Sequence, residues 1–307
     1  MKNKLWIIAL IVFIAFAAAT CKNGTTDPAV TVYYSGCYEE SGIDKACYWK
    51  DGVRTTLPVP TRATSSYAEA ITVVNNIIYT SGYYRESGVR KPCYWKGTVR
   101  TDLPVPAETT ESYAGAITVV NDTVYTAGYY YGPGVGKACY WTETSRTDLQ
   151  NLAGAILSVA GTITVVNGAV YTAGFCYYYE SGVRKPCYWT GTVCTNLPVP
   201  AWATISAAGN ITVVNGTVYT TGFCSDESYM GKACYWTGTA RTDLPIPAGA
   251  TESYAGAITV VNGTVYTAGY YEDPIVDKTC YWKGTERVDL SYIAGNEEIY
   301  DVFLAVE

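Results

Sequence analysis

The chain has 307 residues, of which 49% are hydrophobic, and its formal net charge is −6. The acidic balance disfavours nucleic acid as a partner, and the absence of histidine removes the most common general base, proton switch and metal ligand. Tyrosine occurs 30 times, and with valine, isoleucine and threonine it favours strands. The composition therefore predicts an all-β protein.

The first twenty residues have the pattern of an export signal. Lys2 and Lys4 precede an apolar run, Leu5–Ala19, which is short for a membrane span. Small residues then offer a cleavage site. We expect residues 1–20 to be a signal peptide, so that the mature protein is exported.

Cys21 follows Ala18-Ala19-Thr20, which is similar to a bacterial lipobox although Thr20 and Ala18 depart from the usual pattern. We expect Cys21 to be lipidated and residues 21–28 to be a tether. The protein would then sit in the cell envelope, at the outer membrane or in the periplasm, and touch the membrane only through its lipid anchor. Cleavage near Ala19 and secretion is the alternative.

Two sequence blocks recur along the rest of the chain. The block Ile117–Gly128 returns at positions beginning with Ile71, Ile163, Ile211 and Ile258. The block Cys-Tyr-Trp occurs six times, and its tryptophans are separated by 46, 46, 48, 47 and 46 residues. The chain therefore contains six near-copies of one unit.

Each unit has the pattern of four strands, A to D. In the third unit we predict strand A over Tyr113–Val120, strand B over Thr123–Tyr130, strand C over Lys137–Thr142 and strand D over Ser145–Leu149. The A–B connections are Asn-Asn, Asn-Asp or Asn-Gly, which favour a tight type I′ hairpin. Six four-stranded antiparallel units of this length are typical of a β-propeller, and a straight solenoid is the structural rival.

The two ends of the chain favour the propeller. The first unit starts at strand B, with Val30–Tyr33, and lacks strand A. The C-terminal residues 298–306 match the strand A pattern of Glu111–Val119. We therefore predict a six-bladed propeller over residues 29–307, in which the C-terminal strand completes the first blade.

The unit resembles NHL-type and related bacterial propeller repeats. The matching residues are Ile258-Thr259-Val260, the turn Asn262-Gly263 and Val265–Gly269. The whole sequence also resembles repeat lipoproteins of host-associated bacteria. The resemblance implies the fold and not the function, because such propellers serve as enzymes, adhesins and scaffolds.

The tryptophan of each Cys-Tyr-Trp block is interpreted as packing between blades, with carbohydrate stacking as the alternative. The cysteine of each block is interpreted as a small buried residue. Three local disulfides are open possibilities: Cys37–Cys47, Cys176–Cys187 and Cys224–Cys234. Cys194 would stay free. We expect neither a metal nor another cofactor, since zinc motifs are missing.

The Arg-Thr-Asp motif occurs at Arg100–Asp102, Arg146–Asp148 and Arg241–Asp243, and Arg287–Asp289 is similar. A spacing of two places both charges on one face of a strand. We interpret the motif as an ion pair at the outer edge, where charge also discourages aggregation.

Tyrosines gather at one predicted rim, formed by the D–A and B–C connections. Tyrosine offers an apolar face with a hydroxyl, which suits glycan and protein ligands. The candidate binding residues are Tyr67, Tyr113, Tyr254 and Tyr300 at the start of strand A, and Tyr83, Tyr84, Tyr129, Tyr130, Tyr270 and Tyr271 at the end of strand B. The alternative is that these tyrosines only pack the loops.

Three functions remain open from the sequence. The first is a monomeric, non-enzymatic binding or scaffold protein that presents the tyrosines to a protein or glycan. The second is a glycan hydrolase or lyase that uses Glu69, Glu111 or Glu252 near the channel. The third is a structural surface coat. We favour the first, because near-identical repeats do not bring unlike catalytic residues together.

Overall fold

The computed structural model describes residues 13–15, 31–227, 230–273 and 277–290. These residues form strands and turns without a helix, so none of them belongs to a helix that could cross a membrane. In chain order the strands are β1 Phe13–Ala15, β2 Thr31–Glu40, β3 Ile43–Lys50, β4 Val53–Thr56, β5 Ser65–Val74, β6 Ile77–Glu86, β7 Val89–Lys96, β8 Val99–Asp102, β9 Glu111–Val120, β10 Thr123–Gly132, β11 Val135–Thr142, β12 Ser145–Asp148, β13 Leu157–Val166, β14 Ala169–Tyr178, β15 Val183–Thr190, β16 Val193–Asn196, β17 Ile205–Val214, β18 Thr217–Ser225, β19 Lys232–Thr237, β20 Ala240–Asp243, β21 Glu252–Val261, β22 Thr264–Glu272, β23 Asp277–Lys283 and β24 Glu286–Asp289.

Every four consecutive strands form one antiparallel unit, called sheets 1 to 6 from here on. Sheets 3, 4 and 5 are also hydrogen-bonded to one another, because the start of strand C pairs in parallel with the next strand A. The pairs are Gly136 with Leu157 and Arg184 with Ile205. The molecule is thus an all-β, propeller-type protein, and the predicted strands of the third unit agree with β9 to β12 to within two residues.

The A–B hairpins have the conformation that the sequence predicts. Asn121 and Asp122 both have positive φ, at 50° and 60°, and Asn167 and Gly168 have φ of 50° and 78°. Two successive residues in this region make a type I′ turn, whose twist matches that of the flanking strands. These turns fix the register in which strands A and B pair.

The tryptophans of strand C pack between sheets. Those of sheets 2 to 6 are fully buried, and each indole Nε1 donates a hydrogen bond to a carbonyl of the connection that precedes its sheet. Trp95, for example, bonds to Pro58 at 2.9 Å. Trp49 of sheet 1 is half-buried and stacks on Tyr34 instead. The packing interpretation of these tryptophans therefore agrees with the structure.

A serine of strand A ties each sheet to the one before it. The hydroxyl oxygens of Ser66, Ser158 and Ser253 accept hydrogen bonds from backbone N–H groups of the preceding strand C, at 2.8–2.9 Å. Pro92 and Pro186 occupy the donor position in sheets 2 and 4 and have no N–H. Ser112 accordingly donates to the Arg90 carbonyl at 2.7 Å. Ser206 has no bond to the preceding strand C in the described structure and lies beside the Cys224 thiol of its own sheet.

The edge of β2 is occupied by the N-terminal segment. Phe13–Ala15 pairs with Thr31, Val32 and Tyr33 in antiparallel register. This is the edge that the sequence assigns to the C-terminal strand. Residues 298–306 lie outside the described residues, so the predicted closure of the ring stays a prediction.

The cysteines require one correction. A turn at Ser181-Gly182 predicts Cys176 opposite Cys187, which is wrong, because the register pairs Cys176 with Lys185 and Cys187 with Gly174. The described cysteines are all thiols, including those of the three possible disulfides. The buried thiols of Cys93 and Cys139 have pKa values raised well above the ordinary range by burial, which fits small, unreactive core residues.

Candidate binding site on one rim

The tyrosines at the end of strand B divide into two groups that face opposite sides of their sheets. Successive residues of a strand point to opposite faces, so Tyr83 and Tyr84 separate, as do Tyr129 and Tyr130. The register pairs Tyr67 with Tyr83, Tyr113 with Tyr129 and Tyr254 with Tyr270. We call these six residues the rim tyrosines.

The other group is part of the internal packing of each sheet. Tyr84, Tyr130 and Tyr271 are 3%, 7% and 1% exposed. Their hydroxyls donate to the aspartate of the Arg-x-Asp motif in strand D, Asp102, Asp148 and Asp289 respectively, and the motif's arginine lies over each ring.

We call this arrangement the outer triad, and its ion pair is the one that the motif predicts. In sheet 3 the Arg146 and Asp148 side chains are 2.8 Å apart. Tyr130 also lines an open groove of about 390 Å³ with Pro106, Pro133 and Lys137. The three tyrosines of the outer triads therefore have structural contacts that account for them.

The rim tyrosines of sheets 2 and 3 form one continuous series of ring contacts, in which Tyr83 is 6% exposed and the other three are partly exposed. Ring centroids are 5.0 Å apart from Tyr67 to Tyr83, 5.9 Å from Tyr83 to Tyr113 and 5.8 Å from Tyr113 to Tyr129. A second series in sheets 5 and 6 connects Phe223 to Tyr254 at 5.9 Å and Tyr254 to Tyr270 at 6.0 Å. Tyr300, the predicted link between the two series, lies outside the described residues.

Charged groups meet these rings in the cleft between sheets 2 and 3. The Arg90 guanidinium lies 4.9 Å from the centroid of Tyr83. Its Nη1 is 2.8 Å from Oε1 of Glu111, and the two side chains are 25% and 42% exposed. Nε of Arg90 is buried without a hydrogen-bond partner in the described structure. The cleft thus has a partly exposed ion pair beside aromatic rings.

Glu69 stands behind this cleft at a β-bulge. The A–B register shifts at residue 69, and the matching bulge positions of sheets 3, 4 and 6 are glycines. The Glu69 side chain is 5% exposed, and the Tyr113 hydroxyl donates to its Oε2 at 3.0 Å. Burial raises the pKa of Glu69, against the opposing influence of Tyr113 and Arg90. Burial and the Glu69 carboxylate raise the pKa of Tyr113.

The cleft between sheets 1 and 2 has different chemistry. Here the Tyr67 hydroxyl donates to Oδ2 of Asp44. Burial, together with Asp44, raises the pKa of Tyr67 well above its usual range. Cys37 takes the position of the rim tyrosine in strand B, and burial beside Asp44 and Glu69 raises its pKa to about 11.

One position accounts for the differences between clefts. The residue three places before the strand C cysteine is Asp44, Arg90, Gly136, Arg184, Gly231 or Asp277 in sheets 1 to 6. Arg184 lies over Phe175, with 4.6 Å to the ring centroid, whereas Val159 and Ala207 replace the strand A tyrosines there. The repeats therefore keep one scaffold and vary the charge at the rim.

The sequence analysis singles out most of the aromatic residues of the candidate site but not its charged residues. It does not single out Arg90 or Asp44, and it indicates Glu69 and Glu111 only for catalysis. The signal is present in the variation of one position among otherwise similar units. Glu252, the third catalytic candidate, begins β21 beside the tyrosines of sheet 6.

Comparison with known proteins gives structural likeness only. No family model matches the sequence, and no curated protein does. A fucose lectin from Kordia zhangzhouensis has 14% identity and a TM-score of 0.33, over 42% of this chain and 96% of that one. The fucose-specific lectin of Aleuria aurantia has 9% identity and a TM-score of 0.45, over 85% and 90%. A Trypanosoma rangeli sialidase has 11% identity and a TM-score of 0.46, over 82% and 51%.

Proposed function

We propose that the protein is a non-enzymatic binding protein whose rim takes up a glycan in the cleft between sheets 2 and 3. The observation that carries this proposal is the meeting of Arg90 and Glu111 with the rings of Tyr83, Tyr113 and Tyr129. A sugar presents apolar C–H faces and a ring of hydroxyls. The tyrosine faces suit the first, and the guanidinium and carboxylate suit neighbouring hydroxyls as donor and acceptor.

The charge balance of the cleft favours a neutral sugar. The Arg90 guanidinium is already paired with the Glu111 carboxylate, so an anionic ligand would have to compete with Glu111 for it. The partly exposed Arg90 guanidinium and Glu111 carboxylate can instead serve sugar hydroxyls as donor and acceptor.

A glycan array probed with the purified protein tests this proposal. Arg90→Ala should abolish the signal, because it removes the donor and the partner of Glu111. Arg85→Ala is the matched control, since Arg85 lies on the same sheet and contacts the Gly88 carbonyl. Equal loss of binding in both variants, or an unchanged array with Arg90→Ala and an intact fold, contradicts the proposal.

A second candidate function rests on Glu69. A buried carboxyl with a raised pKa that is held by a tyrosine has the character of a general acid. A glycan hydrolase therefore has one specific observation behind it. Release of reducing sugar from any polysaccharide that disappears in Glu69→Gln would establish catalysis and overturn the non-enzymatic proposal.

We also propose that the protein is exported and anchored in the cell envelope through Cys21, on the sequence pattern of residues 1–21. Mass spectrometry of the mature N-terminus checks this. Acyl groups on Cys21 would support the anchor, and an unmodified N-terminus near residue 20 would indicate secretion instead.

A further inference from the structure

A second unusual position lies in sheet 4, where the outer triad is missing. Sheets 2, 3 and 6 carry a tyrosine in strand B with an arginine and an aspartate in strand D. In sheet 4 the three corresponding residues are Cys176, Cys194 and Asn196. Sheet 5 changes only the tyrosine, to Cys224, and keeps the Arg241–Asp243 ion pair.

The joint replacement brings three thiols together. Cys187, the strand C cysteine that every sheet has, lies next to both new ones. The sulfur atoms of Cys176, Cys187 and Cys194 all lie within 4.8 Å of one another, and those of Cys176 and Cys187 are 3.7 Å apart. The loss of a tyrosine ring and a guanidinium makes the space, since a small thiol stands where the arginine stands in other sheets.

The distances fit a shared metal ion better than a covalent bond. Thiolates that bind one ion at about 2.3 Å have sulfurs about 3.8 Å apart in a tetrahedron and about 4.0 Å apart in a trigonal plane. A disulfide requires about 2.05 Å. Cys176 and Cys187 are fully buried and Cys194 is half-buried, so the third sulfur faces the accessible side.

We propose that Cys176, Cys187 and Cys194 bind one thiophilic cation with a filled d shell, either Zn²⁺ or Cu⁺. Soft thiolate ligands select these metals. Three thiolates complete the trigonal set of Cu⁺ and leave one position of zinc's tetrahedron for a water. Each thiol loses its proton to solvent as its sulfur coordinates, and no oxidant is needed.

The surroundings support a bound ion. Trp189 and Leu152 pack in the same cluster and shield the sulfurs from water. Tyr178 packs there too, and the Lys185 ammonium lies 4.7 Å from its ring centroid. The sequence alone misses this site because its three cysteines lie on three different strands without a known motif.

Metal titration of the full-length, reduced protein without oxygen tests the proposal. Zn²⁺ and Cu⁺ are added in separate arms, and bound metal is counted by native mass spectrometry. One tightly held equivalent is expected in at least one arm, together with a higher melting temperature. Co²⁺ in the zinc arm should give the intense absorption of cobalt–thiolate bonds.

Two matched variants make the result specific. Cys194→Ser should lose the bound equivalent, and Cys224→Ser should keep it, because the cysteines of sheet 5 form only a pair, with sulfurs 3.9 Å apart. Cys194→Arg restores the residue of the other sheets and provides a second folded variant without the site. Uptake below one equivalent in both arms, uptake unaffected by either Cys194 variant, or a Cys176–Cys187 disulfide with no metal uptake after reduction overturns the proposal.

Discussion

At the scale of single residues, the bulge position of strand A distinguishes sheet 2 from the others. It is Glu69 in sheet 2 and a glycine in sheets 3, 4 and 6. Glu69 stands at a β-bulge, and bulges commonly redirect a side chain near a functional site. In sheet 3 a side chain at Gly115 would collide with Tyr113, because an added Cβ atom would lie 2.2 Å from the tyrosine ring. In sheet 5 a Cβ atom at the same position, Gly209, would lie 3.6 Å from the Tyr254 hydroxyl. Sheet 2 therefore has a buried acid at a position where sheets 3 and 5 have a glycine with tyrosine atoms beside it.

The buried acid predicts a specific pH dependence of stability. Burial raises the pKa of Glu69 in the folded state, so the folded protein binds this proton more tightly than the unfolded chain. The contribution of Glu69 to stability is greatest below its ordinary pKa and is lost as the pH rises through the raised value. Glu69→Gln stays neutral and can still accept from Tyr113. Its melting temperature should rise relative to the wild type between about pH 4 and pH 8.

Glu111→Gln provides the comparison for that experiment. Glu111 is 42% exposed and paired with Arg90 on the surface, where solvent screens the charges. We expect the plot of melting temperature against pH for Glu111→Gln to run nearly parallel to that of the wild type. A parallel plot for Glu69→Gln as well would mean that Glu69 does not hold its proton more tightly in the folded protein. Glu69 would then be charged at neutral pH and could not act as a general acid.

At the scale of strands, the serine near the start of strand A makes different hydrogen bonds in different sheets. Which bond it makes depends on strand C of the preceding sheet. Ser158 accepts from the Ala138 N–H and also donates to Asn151 at 2.6 Å. Ser112 donates to a carbonyl because Pro92 supplies no N–H. For sheet 5 the donor position is Pro186 of sheet 4, so Ser206 has no N–H to accept from and lies beside the Cys224 thiol of its own sheet. The connection between sheets is therefore not uniform around the molecule, although the sequence repeats are.

The serines give a matched pair of variants. Ser158→Ala leaves the Ala138 N–H buried and without an acceptor, which costs about 1–3 kcal/mol. Ser206→Ala removes a hydroxyl that lies beside the Cys224 thiol of its own sheet and has no bond to the preceding strand C in the described structure. Because a thiol is a weak hydrogen-bond partner, the unfolding free energy should change by less than about 1 kcal/mol. Denaturant titration of both proteins measures the difference. Equal effects would show that the hydrogen bond between sheets contributes no stability.

Local sequence signals predict the strands well for a physical reason. Alternating residues and Asn-Gly turns determine strands A and B by themselves, and the outer ion pair follows from a spacing of two within strand D. The meeting of Arg90 with Glu111 depends instead on how strand C of one sheet lies beside strand A of the next. The convergence of Cys176 with Cys194 depends on the registers of three strands. The first relation lies between two units, and the second combines the B–C and C–D registers of sheet 4, so neither follows from the pattern of a single strand.

At the scale of the whole molecule, Trp49 is the feature that bears on ring closure. In sheets 2 to 6 a leucine directly after strand D of the previous sheet is followed by the residue whose carbonyl accepts from the indole N–H. Trp141, for example, donates to the carbonyl of Pro104, which follows Leu103. In a closed ring the sheet before sheet 1 is sheet 6, and the corresponding carbonyl belongs to Ser291, after Leu290. Closure would thus give Trp49 the partner that the other five tryptophans already have.

Removal of the N-terminal segment provides the test of closure. Export would cleave Phe13–Ala15 away and expose the edge of β2, which an unpaired strand would leave open to aggregation. We expect residues 298–306 to pair there, so the amides of Thr31 and Tyr33 should exchange slowly with deuterium in a protein that begins at residue 21, whereas the Val32 N–H is bonded to Asp51 in either case. The same protein cut after residue 297 should exchange the Thr31 and Tyr33 amides at least about tenfold faster. Equal exchange rates in the two proteins would mean that the C-terminal strand does not complete sheet 1, and the ring would then have to remain open between sheets 6 and 1.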